Sequence, residues 1–328
     1  MWTRHQPDGH DRHPLHRGER IWLETNCYVD LWIEALHARG LDPLAMLGFT
    51  VTQDFEGDQF TFFKVPLEDL ETLYGLRVQE LAIYDSVESH VAEQLARSRG
   101  GNPGGGDPGG DPGGGLVLVE VDGFHLPDTR GASYGTTHVK TTVGIVRIDP
   151  AARTMDYFHN AGFHRLEGTD YDGIAAAAAG PLFPYVEFVK PGRPALEGRA
   201  LMDAALALLR RHLARRPAGN PIAAYRAAFP EHLDRLLSRP MEYFHLYAFN
   251  LLRQLGANFE LLGAHTRWLD GPAEAEEACR TIAEGAKAMQ FQLARTVARR
   301  KAPDLTDGFD RMERAYDTAL GTLALHYG

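Results

Sequence analysis

The chain has 328 residues, 44% hydrophobic and 24% charged, with a net charge of −10. That length suits two domains with ordinary cores, and the acidic balance excludes a general affinity for nucleic acid or an anionic membrane surface, both of which need a basic face. No apolar run approaches the ~20 residues of a membrane span, the first residues lack the apolar stretch of a secretory signal, and two cysteines far apart in sequence, Cys27 and Cys279, suggest no disulfide framework. A cytoplasmic location is expected.

Residues 1–20 are polar, carry His5, His10, His13 and His16, and are expected to form a flexible tail. Residues 26–39 place Tyr28, Leu31, Trp32, Ala35 and Leu36 on one face at helical periodicity. Thr25 or Asn26 suits the cap and Gly40 the position past the end. A hairpin is predicted around Glu56-Gly57-Asp58, then helices over 66–74 and 86–97. Ten of the sixteen residues in 100–115 are glycine. No packed structure offsets the entropy of ordering such a run, so it is read as a disordered loop insertion within the first domain. Strands follow at 116–122, 136–148 and 154–159, the last two joined by a turn at Asp149–Arg153. From about residue 196 the pattern is helical, with segments 197–215, 220–228, 231–237, 241–263, 272–300 and 304–326 punctuated by prolines such as Pro230. The expected architecture is α+β: a domain over 21–192 with an antiparallel sheet, followed by an all-α domain over 193–328.

Cys27 falls at the start of the first helix, where the dipole and open N–H groups favour a thiolate. Asp30, one turn on, opposes that if it faces the sulfur. His138 opens an alternating strand about a hundred residues later, where papain-like folds carry the base. A third residue on the next strand would hold the imidazole, and Asp156, His159 and Asn160 are the candidates. Pairing of Ile148 with Thr154 puts Asp156 and Asn160 on the His138 side, and Asn160 is preferred. No glutamine precedes Cys27 at papain-like spacing, so the Cys27 amide with Asn26 or Gln59 would serve as oxyanion donor. His159, His164, Asp128 and His138 lack the spacing of a standard metal site, and no metal is expected.

In the helical domain Asn250, Gln254 and Asn258 recur every four residues. They form either an interhelical hydrogen-bond network or, with Lys287 and Gln290, the wall of an acyl or acceptor pocket. The stretch 295–301, RTVARRK, is either a solvated helix end or a dock for an acidic partner.

The runs NCYVDLWIEALHARGLDPLAMLGF, VEVDGFHLPDT, THVKTTVGIVRID and MDYFHNAG resemble the N-terminal domain of the butirosin biosynthesis protein H family over about residues 25–190. Those are papain-like cysteine acyltransferases that pass an aminoacyl group from a carrier-protein thioester to an amine. The chain resembles still more closely, over nearly its whole length, an uncharacterised bacterial family encoded beside amino acid:carrier protein ligases. The resemblance implies Cys27 as nucleophile, His138 as base and Asn160 as orienting residue. Asp122 and Pro127 match its Asp…Leu-Pro segment, and Asp122 joins Asn26, Gln59, Asn250 and Gln254 as candidate substrate-binding residues. The implied partners are an acyl carrier protein, whose phosphopantetheine arm carries the substrate, and possibly the ligase; no cofactor of the chain's own is implied. A hydrolase using the same site and a non-catalytic carrier-binding protein are the alternatives.

Overall fold

The structure, a computed structural model, describes residues 9–18, 20–100, 115–179 and 183–328. Nearly all of the expected Gly/Pro insertion and the first eight residues of the expected tail lie outside them.

Asn26 sets the start of helix α1 (Cys27–Ala38). Its side-chain oxygen accepts hydrogen bonds from the Tyr28 and Val29 amides at 3.2 and 3.0 Å, a cap worth about 1 kcal/mol. Gly40, at φ +73°, turns the chain away beyond the last turn, a conformation that side chains resist. Nearly all of α1 is buried, including Asp30 and Glu34, one turn apart. Buried carboxylates need partners, and residues 10–16 supply them. His10 Nε2 lies 2.6 Å from Glu34, the His13 backbone N–H donates to Glu34 at 3.1 Å, and the His16 ring contacts both Glu34 and, at 3.0 Å, Asp30. Burial alone would lower the His16 pKa, but the two carboxylates raise it to about 9. Burial of Glu34 works upward, yet the His10 and His16 contacts hold its carboxyl down at about 2. The flexible tail expected over 1–20 is thus corrected at residues 10–16: His13 and His16 are buried and tie this segment to α1.

The chain divides into two units. The first comprises the described parts of Met1–Gly18, Asn26–Pro43 and Leu67–Leu196. Strands β1 (Phe55–Glu56) and β2 (Gln59–Phe60) form the expected hairpin around Gly57, but in the second unit. The first unit continues with α2 (Leu67–Tyr74), β3 (Leu76–Glu80), α3 (Val87–Gly100), β4 (Leu116–Asp122), β5 (Lys140–Asp149), β6 (Thr154–His159), β7 (Gly162–Glu167), α4 (Gly168–Ala178) and β8 (Val186–Pro191). The six strands β3 to β8 make one antiparallel sheet in the order β3-β8-β4-β5-β6-β7. The bounds expected for β4 and β6 hold; β3, β7, β8 and α4 were not predicted.

The sheet has two different faces. Val117, Val119, Val121, Val143, Ile145 and Tyr157 pack with α3 and α4 in one buried cluster. The opposite face receives α1. A Cβ on Gly144 would lie 3.2 Å from the Leu31 side chain, and Tyr28 Oη donates to Glu187 at 2.8 Å. The β5–β6 register departs from expectation: Thr154 pairs with Asp149 rather than Ile148, and a bulge between Ile145 and Arg147 restores the offset beyond it.

The second unit holds Leu44–Pro66, the described residues of Glu19–Thr25, and everything from Glu197. The expected boundary at 193 is close, but these two earlier segments join the helical unit. Its helices are α5 (Gly198–Leu213), α6 (Pro221–Ser238), α7 (Met241–Tyr247), α8 (Arg253–Trp268), α9 (Ala273–Arg299) and α10 (Thr306–Tyr327), with one π-helical turn at Ala248–Leu252. Helix α6 runs through Pro230, where a break was expected. No helix among the described residues is long and apolar enough to cross a membrane.

Candidate functional site

The last residue of β4 is the centre of the site. One oxygen of Asp122 accepts from the Phe124 amide at 3.0 Å and from the Val139 amide at 3.3 Å. The other lies 2.5 Å from His138 Nδ1. Asp122 therefore caps the short turn at Gly123–His125, closes the loop back onto β5 and orients the imidazole with one carboxylate. Gly123 permits this closure: a Cβ there would meet Val139 and Ser133 at 2.9 and 3.0 Å. The Phe124 ring, 4.5 Å away and 12° from parallel, stacks on His138. Partial burial pulls the Asp122 pKa upward, but the His138 hydrogen bond and the two amides hold it below the ordinary carboxylate value. The Nδ1 contact leaves Nε2 as the nitrogen away from Asp122, and the His138 side chain is 72% exposed.

Cys27 is the first residue of α1 and is half-buried. Asp30, which threatened to face it, is fully buried and bonded to His16. Asp122 falls on the sheet face that α1 covers, since it pairs with Lys140 in the same alternation as Leu118 with Gly144. Tyr28 reaches Glu187, which pairs with Leu118, four residues or about 13 Å along β4 from Asp122. Among the described residues no hydrogen bond joins Cys27 to His138.

The other predicted site residues are dispersed. Asn160 sits at φ 44° in the two-residue turn between β6 and β7, a position asparagine tolerates; the ring of His138 is held by Asp122 instead. Asp156 is buried, bonded to Arg165 at 2.7 and 3.0 Å, with Arg147 3.4 Å away. Asn26 is occupied as the helix cap. Gln59 is exposed in the second unit's hairpin. Asn250 and Gln254 also belong to that unit: the Asn250 amide donates to Leu246 O in its own turn, and the Gln254 backbone accepts from Gln53. Asn258 donates to Thr50 O at 2.9 Å. Gln254 and Asn258 are thus internal ties to the segment 44–66.

A second histidine–carboxylate pair lies at the end of β6. His159 is 1% exposed. Its Nδ1 is 2.5 Å from Asp128 and its Nε2 2.7 Å from Thr141 Oγ1, while Tyr157 donates to the other Asp128 oxygen at 2.5 Å. Burial raises the Asp128 pKa, but His159, His164 and Tyr157 bring it below the ordinary value.

Beside His138 an open cavity of about 390 Å³ is lined by the apolar Val121, Val139, Ile174, Ala177, Ala178 and Pro184 and by the charged Glu120, Asp122 and Lys140; Cys27 does not line it. Sequence reasoning tied Asp122 to the resemblance but not to His138. The available signal was an aspartate closing one predicted strand while a histidine opens the next.

A family model for the DUF1839 N-terminal domain matches residues 11–102 and 110–191, and one for the DUF1839 C-terminal domain matches residues 198–325. The chain belongs to the DUF1839 family. No curated protein matches this DUF1839 chain.

Proposed function

We propose that the first unit is a papain-like, cysteine-dependent acyltransferase in which Cys27 is the nucleophile, His138 the acid–base group and Asp122 the residue that orients it. The observation that carries this reading is the 2.5 Å contact between His138 Nδ1 and Asp122 on an imidazole whose other nitrogen faces solvent. Such an arrangement holds one tautomer ready to accept a proton. Cys27 is half-buried as the first residue of a capped helix, where its sulfur is near open backbone N–H groups.

The reaction runs in two halves. Nε2 of His138 takes the Cys27 proton, Sγ bonds to the carbonyl carbon of an acyl thioester, the bond to the departing thiol breaks, and the proton goes to that thiolate. An amine acceptor then bonds to the acyl carbon, the Cys27–acyl bond breaks, and His138 moves the amine proton back to Sγ. The resemblance to aminoacyl-transferring relatives points to an aminoacyl group on the pantetheine arm of a carrier protein, and so to a cytoplasmic reaction. The exposure of His138 favours hydrolysis as the second reading, with water in place of the amine.

Incubation with a radiolabelled aminoacyl-carrier protein is expected to place label on wild-type protein and none on Cys27→Ala. Equal labelling of both, or of neither, overturns the nucleophile.

A further inference from the structure

We propose that the cavity beside His138 is a subsite for a short, unbranched aliphatic side chain of the acyl group, with its depth set by Ala177 and Ala178. The inference rests on His138 being the acid–base group of the proposed reaction and identifies what sits next to it.

Three observations carry it. The cavity shares a wall with the His138 ring, and at about 390 Å³ it lies near the lower end of the ~300–1,000 Å³ common for small-molecule sites. Its remaining wall is apolar and comes from Val121, Val139, Ile174 and Pro184 with the two alanines. The charged groups that line it are matched: Lys140 lies 2.9 Å from Glu120, and His138 2.5 Å from Asp122. No buried polar atom without a partner faces this wall among the described residues. Against this apolar wall a polar group finds no partner, whereas a methylene chain gains by leaving water.

The wall is also fixed relative to the imidazole. At Gly173 in α4 a Cβ would fall 2.2 Å from the His125 ring, so only glycine lets that ring dock on the helix. His125 meets Phe124 edge to face at 5.1 Å, and Phe124 stacks on His138. One continuous stack thus joins the alanine-bearing helix to the acid–base group. Alanine at 177 and 178 leaves open space that a leucine would fill. Ala177 is exposed and leucine is a good helix former, so the enlargement leaves the fold intact.

The test is titration calorimetry on full-length Cys27→Ala, which prevents turnover, with acetyl, butyryl, hexanoyl and decanoyl thioesters of N-acetylcysteamine. Affinity is expected to rise about fourfold per methylene from acetyl to butyryl and to level off at the longer chains. Adding Ala177→Leu or Ala178→Leu is expected to weaken butyryl binding at least tenfold and acetyl binding by less than twofold, with the circular dichroism spectrum unchanged. Affinity independent of chain length, or untouched by both leucines, overturns the subsite. Labelling of the wild-type protein by the same thioesters separates the two ideas. Chain-length selectivity without any acyl-Cys27 retains the subsite and removes the nucleophile; acyl-Cys27 with flat binding does the reverse.

Discussion

Two imidazoles of this chain make the same hydrogen bond and differ in everything else. His138 and His159 each place Nδ1 2.5 Å from an aspartate. At His138 the second nitrogen faces solvent at the rim of a cavity; at His159 it is sealed against Thr141 in the sheet. The carboxylate does not decide whether a histidine can exchange protons with a substrate. The state of the opposite nitrogen does. The pair at β6 is a structural clamp, and the pair at the end of β4 has the access that catalysis needs.

The sharpest way to break this contrast is to remove each ring in turn. His138→Ala is expected to lower acyl-Cys27 formation by about 10²–10⁴-fold while shifting the stability of the protein by no more than about 0.5 kcal/mol, measured by label incorporation and urea unfolding. The converse holds for His159→Leu, which leaves the buried Asp128 without a main partner. Its expected cost is about 3–5 kcal/mol of unfolding free energy. Comparable stability losses for the two variants would show that they are one kind of site.

A third pair sharpens the comparison through pH. The His16 pKa is raised from 6.5 to about 9 by Asp30 and Glu34 against the effect of burial. Its stabilisation is therefore complete below about pH 6.5 and is lost as pH rises through about 9. Glu34, lowered from 4.5 to about 2, contributes above pH 4.5 and loses its contribution as pH falls toward 2. The clamp on α1 is thus strongest between about pH 4.5 and 6.5. Unfolding free energies from urea titrations at pH 6 and pH 10 are expected to differ by on the order of 3 kcal/mol in wild type and much less in Glu34→Gln. A flat wild-type profile would mean that the His16 contacts with Asp30 and Glu34 contribute nothing. The smallest effect expected is in thiol reactivity. Burial, with the Glu276 charge, pushes the Cys279 thiol upward, so iodoacetamide at neutral pH should alkylate Cys27 at least tenfold faster.

Elements marked by local chemistry were legible. The Asn26 cap with helical spacing gave α1, and the alternation flanking Asp149–Arg153 gave β5 and β6. Strands β7 and β8 were hidden, the first because His164 drew attention as a ligand, the second because six residues ending in Pro191 look like a loop. The site was half legible. His138 stood out at the start of its strand, but its hydrogen-bond partner is the preceding strand's Asp122, and a register argument on β6 could not reach it. The histidines at 10, 13 and 16 had a readable purpose. Asp30 and Glu34 lie one turn apart on a helix whose other residues, His37 apart, are apolar, and such carboxylates require donors from elsewhere in the chain.

The route of the chain between its units has a consequence for synthesis. Residues of Leu44–Pro66 leave the ribosome early, yet their companions begin at Glu197. Throughout translation of the intervening stretch, Phe55 and Phe60 are without Tyr225, whose ring they finally contact at 5.7 and 5.4 Å. Nascent chains of this kind hold an apolar hairpin exposed for many seconds, which makes it a natural target for chaperones that act before release.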